Sequence, residues 1–333
     1  MSGAGRRCRP RAEQNRRADD MARARGGHMS EIRSFADLRA AVVDQGAHRL
    51  SVAGGDDPEV MKAIVAALRD KLIARVIVTG CADSIKASLP SDLLAQVEII
   101  AAADAAECAN RAVAVVRAGD ADILMKGHVD STSYLRAIVN RDTGIRAGGV
   151  LSNVTVAEMP SYPKFLVATD NGIIPQPTLA QKQQIIRNTA PLFRGLGLDC
   201  VKVAALAATE KVTAGNAPTE DAAHLAADSR AGGFPGFIVE GPFGYDVAVS
   251  KAAAKAKKLD ASRVAGDADL LLFPTIEAAN AVAKSWKFHG QAQTGSIVLG
   301  AQVPVLLNSR SDKVDRRINA LLLALAVRTG ERA

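Results

Sequence analysis

From about Ser30 onward, short apolar runs alternate with longer stretches whose apolar positions recur at helical spacing. HRLSVAG (48–54) is followed by the amphipathic PEVMKAIVAALRDKL, then by ARVIVTG (74–80), DSIKASLP, VEIIAAA (97–103), AAECANRAVAVVRAG and DILMKG (122–127). This βαβα succession predicts a parallel sheet with helices on both faces. GGVLSNVTVAEM (148–159) and KFLVATD (164–170) follow each other without a helical stretch between them and read as neighbouring, antiparallel strands. The alternation then resumes: helix 178–196, strand 201–207, helix 218–231, strand 236–242, helix 246–257, strand 268–274 and helix 276–288. Strands 296–300 and 303–307 and a helix over 312–328 close the chain.

Composition narrows the class. A chain of 333 residues makes two compact domains or one large one. With 48% hydrophobic and 23% charged residues, most of it is too apolar to remain disordered. Aromatics are only 4%, which suits helices packed on parallel strands and suits a base-stacking nucleic-acid binder badly. No apolar run approaches the ~18 residues needed to cross a bilayer.

The formal charge of +7 is unevenly placed. Residues 1–28 hold eight Arg against Glu13, Asp19 and Asp20, a net +5, so the other 305 residues carry only +2. A nucleic-acid-binding body is therefore not expected. The basic stretch 1–28 has no hydrophobic core and is not a secretory signal. It reads as a disordered tail, translated from an early start (Met21 and Met29 are alternative starts), as an arm for anionic partners, or as a targeting segment.

Cys8, Cys81, Cys108 and Cys200 are far apart, without a CxxC, as expected for reduced thiols of a cytoplasmic enzyme. The five histidines fall singly, so no histidine-built metal site is expected.

Ligands of open α/β sheets bind beyond the carboxyl ends of strands. The polar and glycine-rich strand ends are Gly54–Asp57, Thr79–Gly80, Lys126–Asp130, Asp170–Gly172, Glu240–Asp246, Pro274–Glu277 and Asn308–Asp312. GGDD (54–57) opens a helix. Its amides suit an anion, and Asp57 equally suits an N-cap. GxGxxG, GxxxxGK[ST] and GxSxG are all absent, which removes the motifs of dinucleotide, P-loop and α/β-hydrolase sites.

LMKGHVDSTSYLRAIVN from Leu124, VEGPFGYDVAVSKAAAK from Val239, VAGDADLLLFPTIEAANAVAKS (264–285) and SIVLGAQVPVLLNSRSD, ending at Asp312, belong together. In order and spacing they resemble the phosphate acetyl/butyryl transferase family, over about residues 40–328 and closer to its butyryltransferase branch. The resemblance implies an α/β fold of two α/β/α domains with mostly parallel sheets across a cleft, like the isocitrate and isopropylmalate dehydrogenases. It places domain one at 29–147 plus 296–333 and domain two at 148–295. The implied reaction is acyl-CoA plus phosphate in equilibrium with acyl phosphate plus CoA, with CoA as a substrate and no tightly bound cofactor. It also implies a homodimer, and metabolic pairing with an acyl kinase.

That chemistry needs a base for a thiol with a pKa near 8.5, cations for phosphate, and a donor for charge developing on oxygen or sulfur. NSRSD supplies all three kinds of group in five residues. By resemblance Ser309 hydrogen-bonds the reacting thiol or acyl oxygen, while Arg310 and Arg136 bind the phosphoryl group. Acetyl-type relatives place the acid about seven residues after the serine, where this chain has Arg316. Asp312 matches the butyryl-type SRxD pattern and is the expected base, and Asp315 is the alternative. Lys126 in MKG is a candidate phosphate contact, and Glu277 and Asn280 are candidate cleft residues.

Each of these residues also has a plain structural reading. Ser309–Asp312 could cap the last helix, and Arg136 could be a solvated helix charge. His128 suits a structural hydrogen bond, and Cys81 is not a nucleophile in a reaction that forms no acyl-enzyme. Two rival functions stand beside the transferase. A metal- and NAD-dependent dehydrogenase of the same fold would use Asp267 and Asp269, and a non-catalytic module would bind CoA or acyl phosphate without turnover.

Overall fold

The computed structural model describes residues 31–43, 48–309 and 312–332. The basic stretch 1–28 with Met21, the alternative start Met29, and Arg310 and Ser311 all lie outside the described residues.

The protein is built on one eleven-stranded, mostly parallel sheet. The first half contributes β1 (Arg49–Ala53), β2 (Arg75–Gly80), β3 (Val97–Ala101) and β4 (Ile123–Lys126). β5 (Ser152–Glu158), β6 (Leu166–Thr169), β7 (Val201–Leu206), β8 (Phe237–Phe243) and β9 (Leu270–Leu272) follow. β10 (Gln293–Leu299) and β11 (Val305–Leu306) complete the set. The spatial order is β3-β2-β1-β4-β11-β10-β5-β6-β9-β7-β8. β11 lies parallel to β4, whereas β10 pairs antiparallel with both β11 and β5, and β5 antiparallel with β6.

These reversals decide where chemistry can gather. The carboxyl ends of β1 to β5 and β11 point to one rim of the sheet, and those of β6 to β10 point to the opposite rim. Gly54–Asp57, Lys126–Asp130, Asn308, Ser309 and Asp312 therefore share the first rim. Asp170–Gly172, Glu240–Asp246 and Pro274–Glu277 share the second.

The helices are α1 (Phe35–Val42), α2 (Pro58–Arg69), α3 (Ala82–Ala87), α4 (Ala105–Arg117) and α5 (Ser131–Val139). They continue with α6 (Leu179–Asn188), α7 (Ala190–Gly195), α8 (Ala217–Arg230), α9 (Tyr245–Val249), α10 (Lys251–Ala256), α11 (Ile276–Phe288) and α12 (Val314–Arg332). Their starts follow the capping chemistry of the sequence. The Asp57 carboxylate accepts the N–H groups of Glu59 and Val60, Pro58 takes the first helical position, and Asp130 accepts from Ser133.

Two predicted helices are each divided. Helix 178–196 breaks at Thr189, before Pro191, which lacks an N–H to continue the ladder. Helix 246–257 breaks at Ser250, whose backbone is extended and whose hydroxyl caps α10 through Ala253.

One face of the sheet carries the largest apolar core, with α1, α2, α7, α8 and α12. The other face carries two separate cores, one under α4 and α5 and one under α9 to α11. Between those two the central strands turn polar groups outward, because side chains alternate along a strand. Val154, Val156, Ile297 and Leu299 enter the large core, so Asn153, Thr155, Thr294 and Ser296 face the gap between the helical lobes.

Candidate active site

The end of β11 delivers Asn308 and Ser309 to the first rim, and Asp312 follows just before α12. Ser309 is exposed and Asn308 is buried. The Ser309 N–H donates to Asp312 Oδ2 at 2.9 Å, and the Asp312 N–H donates back to the Ser309 carbonyl at 3.0 Å. Two hydrogen bonds thus tie Asp312 to Ser309.

The remaining oxygen of Asp312 faces cations. Lys287 Nζ, from the last turn of α11, donates to Asp312 Oδ1 at 3.0 Å, and Arg316 Nη1 lies 3.4 Å from the same atom. Burial pushes the Asp312 pKa up, but the Lys287 hydrogen bond, the Ser309 N–H and the charges of Lys287 and Arg316 outweigh it. The carboxyl group is held below its ordinary 3.8. Asp315, the alternative acid, is exposed in the first turn of α12.

A depressed pKa stabilises the fold above the carboxyl's unfolded pKa of about 3.9, and that stabilisation disappears as pH falls through the lower folded value. Removing Lys287 should weaken this effect. In Lys287→Met the Asp312 carboxyl, followed by carbon NMR, is expected to titrate at higher pH than in the wild type. An unchanged midpoint would assign the depression to Ser309 and Arg316 alone.

Lys126 ends β4 with its side chain buried, next to Gly127, whose N–H bonds to the Ala53 carbonyl. An ideal Cβ on Gly127 would lie 1.9 Å from the Gly54 carbonyl oxygen, so only glycine lets the ends of β1 and β4 approach this closely. Arg317 of α12 reaches the same corner, where its Nη1 lies 3.5 Å from the Lys126 carbonyl. Arg136 is exposed on α5, and its side chain makes no ion pair among the described residues. Two residues before it, the buried Tyr134 donates its hydroxyl to the Leu306 carbonyl at 3.3 Å and ties α5 to the end of β11.

Glu277 and Asn280 sit apart from this group. Both lie near the start of α11, at the second rim, and ten residues separate Glu277 from Lys287, about 15 Å along the helix. Asn280 Nδ2 donates to the Asn171 carbonyl at 3.1 Å. Asn171 belongs to a polar chain on the floor of the gap. Asn153 Nδ2 donates to Asn171 Oδ1, Asn171 Nδ2 donates to Thr155 Oγ1, and Thr155 and Ser296 share a 2.7 Å hydrogen bond. α11 therefore runs along one wall of the gap from Asn171 to Asp312. Glu277 is exposed, with no ion pair among the described residues.

The carboxylates a dehydrogenase would need are occupied. Asp269 is buried and paired with Lys164, and Asp267 pairs with both Lys164 and Lys202. This network ties the amino ends of β6, β7 and β9 together and leaves neither aspartate open to a cation.

Lys287 and Arg317 are the site residues that sequence reading missed. Lys287 carries no motif of its own and is separated from Asp312 by β10 and β11. Arg317 sits in the charged first turn of α12, DKVDRR (312–317), where a helical arginine reads as a surface charge.

A family model for "Phosphate acetyl/butaryl transferase" matches residues 97–325. The chain is 37% identical over 276 residues to a probable phosphate butyryltransferase of Bacillus subtilis, covering 83% of this chain and 92% of the relative. It is 33% identical over 278 residues to a phosphate acetyltransferase of Thermotoga maritima, covering 83% and 94%. Among solved structures, a branched-chain phosphotransacylase from Enterococcus faecalis superposes with a TM-score of 0.75 at 28% identity, covering 84% of this chain and 98% of that one.

Proposed function

The chain belongs to the phosphate acetyl/butyryl transferase family, and from that premise we propose that it moves a short acyl group between CoA and inorganic phosphate by direct thiolate attack in a ternary complex. The observation that carries this reading is the convergence of Ser309, Asp312 and Lys126 on one rim, closed from the opposite lobe by Lys287.

In the direction of thiolysis, the CoA sulfur attacks the acyl carbonyl carbon, a C–S bond forms and the C–O bond to phosphate breaks. The thiol proton passes to the Asp312 carboxylate, and the electron pair of the broken bond leaves on the phosphate oxygen. Ser309 donates to the charge developing on oxygen or sulfur, while Arg310, Arg136 and Lys126 receive the phosphate.

Asp312, held below the ordinary carboxylate range, faces a thiol with a pKa near 8.5, so complete proton transfer before attack is strongly uphill. Transfer concerted with C–S bond formation, to a thiol acidified by nearby arginine, avoids that intermediate. The gap between the lobes is the cleft where both substrates meet, with lobes at 29–147 plus 296–333 and at 148–295. Holding both substrates there supplies much of the acceleration through proximity. The working form on this reading is a cytoplasmic homodimer that exchanges acyl phosphate with an acyl kinase.

Free-thiol release from acetyl-, propionyl- and butyryl-CoA, each with and without inorganic phosphate, tests the reaction. Release that requires phosphate is expected, and the ranking identifies the acyl group, each methylene being worth about 1 kcal/mol. CoA binding with no release from any thioester would overturn catalysis and favour a binding module.

A further inference from the structure

Arg317 is only 4% exposed, yet its guanidinium is almost without partners. Of an arginine's five N–H donors, those on Nη1 alone meet an acceptor among the described residues, at the long distance of 3.5 Å. Nε is buried and makes no hydrogen bond. Three carboxylates lie close enough to act on its charge, those of Asp57, Asp312 and Glu59, but none forms an ion pair with it among the described residues. Each is engaged elsewhere: Asp57 caps α2, Glu59 pairs with Lys62, and Asp312 holds Ser309, Lys287 and Arg316. Burial pushes the Arg317 pKa below the ordinary arginine value, as expected for a buried cation lacking a direct counter-ion.

A second orphan stands at the same corner. Asn308, immediately before Ser309, buries an Oδ1 that has no hydrogen-bond partner. Buried polar groups are nearly always paired, and an unpaired buried charge is costlier still. A strut would be expected to end on a carboxylate, whereas a guanidinium left open at a catalytic rim fits an oxyanion, whose oxygens accept from its donors as a fork.

We propose that Arg317 is a phosphate-binding residue of this site, contacting the tetrahedral phosphoryl group shared by inorganic phosphate and acyl phosphate. The proposal rests on the transferase reading for the identity of that anion. Placement at the end of β4, within electrostatic reach of Asp312, favours the transferred phosphoryl group over the phosphates of CoA itself.

Steady-state kinetics of Arg317→Met and Arg317→Lys separate these roles, with a parallel measurement of how far inorganic phosphate raises the melting temperature. For Arg317→Met the KM for phosphate should rise about tenfold or more while the KM for acyl-CoA stays within about twofold. Arg317→Lys should recover part of the loss, and the stabilisation by phosphate seen in the wild type should shrink in Arg317→Met. An unchanged phosphate KM in Arg317→Lys and Arg317→Met would overturn the proposal and leave a structural strut. A rise confined to the KM of acyl-CoA would overturn it in favour of CoA's own phosphates. If Arg317→Met fails to fold, Arg317→Lys decides through the phosphate KM. If the wild type releases no thiol, the transferase reading fails, and the phosphate-dependent melting shift still tests the anion site separately.

Discussion

Ser309→Ala and Asp312→Asn should each lower phosphate-dependent thiol release by about 10²–10⁴-fold, the range for losing an oxyanion donor or a general base. The two losses have different physical origins. Ser309→Ala removes a hydroxyl from an exposed loop position and keeps the N–H that bonds to Asp312, so the loop geometry should survive. Asp312→Asn keeps the shape but replaces an anion that faces Lys287 and Arg316 with a neutral amide. Two cations are then left without their carboxylate, and the thiol proton loses its acceptor. The acyl-CoA KM should change little in Ser309→Ala if the hydroxyl acts chiefly in the transition state. Loss in Ser309→Ala alone, with Asp312→Asn active, would leave the reaction standing and move the base to Asp315.

The largest effect on stability is expected at Gly195→Ala. Gly195 ends α7, and an ideal Cβ there would lie 1.8 Å from the Ala326 carbonyl oxygen of α12. The reverse contact is equally close, with a Cβ on Gly330 lying 1.9 Å from the Pro191 carbonyl oxygen. Both obstacles are backbone atoms, so no side chain can rotate away and the helices must separate. Overpacking of this kind costs about 3 kcal/mol, which for a chain of 333 residues should lower the melting temperature by about 4 °C. Gly232→Ala is the control. Its φ of +87° makes the change mildly strained, but nothing lies within 4 Å of the added methyl. Equal melting shifts in the two variants would show that separating α7 and α12 costs no more than the backbone strain at Gly232. Since Asp312 precedes α12 and Arg317 lies on it, forcing α12 outward should also weaken activity.

Much of this architecture is legible locally. Each of the eleven described strands overlaps a short apolar run that predicts it, because strands buried on both faces, such as β1, β4 and β9, demand near-continuous Val, Ile, Leu and Ala. The cap at Asp57 is equally local. The two helix breaks, at Thr189 and Ser250, went unread because each lies inside a run whose apolar spacing continues across it.

The sequence by itself determined the strands, most of the helices, the family and the residues of the NSRSD run, since each is encoded in contiguous chemistry. Only the tertiary structure decided which strand ends meet. The antiparallel pairing of β10 with β5 and β11 turns one set of carboxyl ends to each rim, so Glu277 and Asn280 lie at the far end of α11 from Asp312. It also decided that Lys287 would reach Asp312 from α11, and that Arg317 would lie buried with its Nε unpaired. Such contacts join residues far apart along the chain or opposite in polarity to their surroundings. Neither spacing nor composition reports them before the sheet has closed.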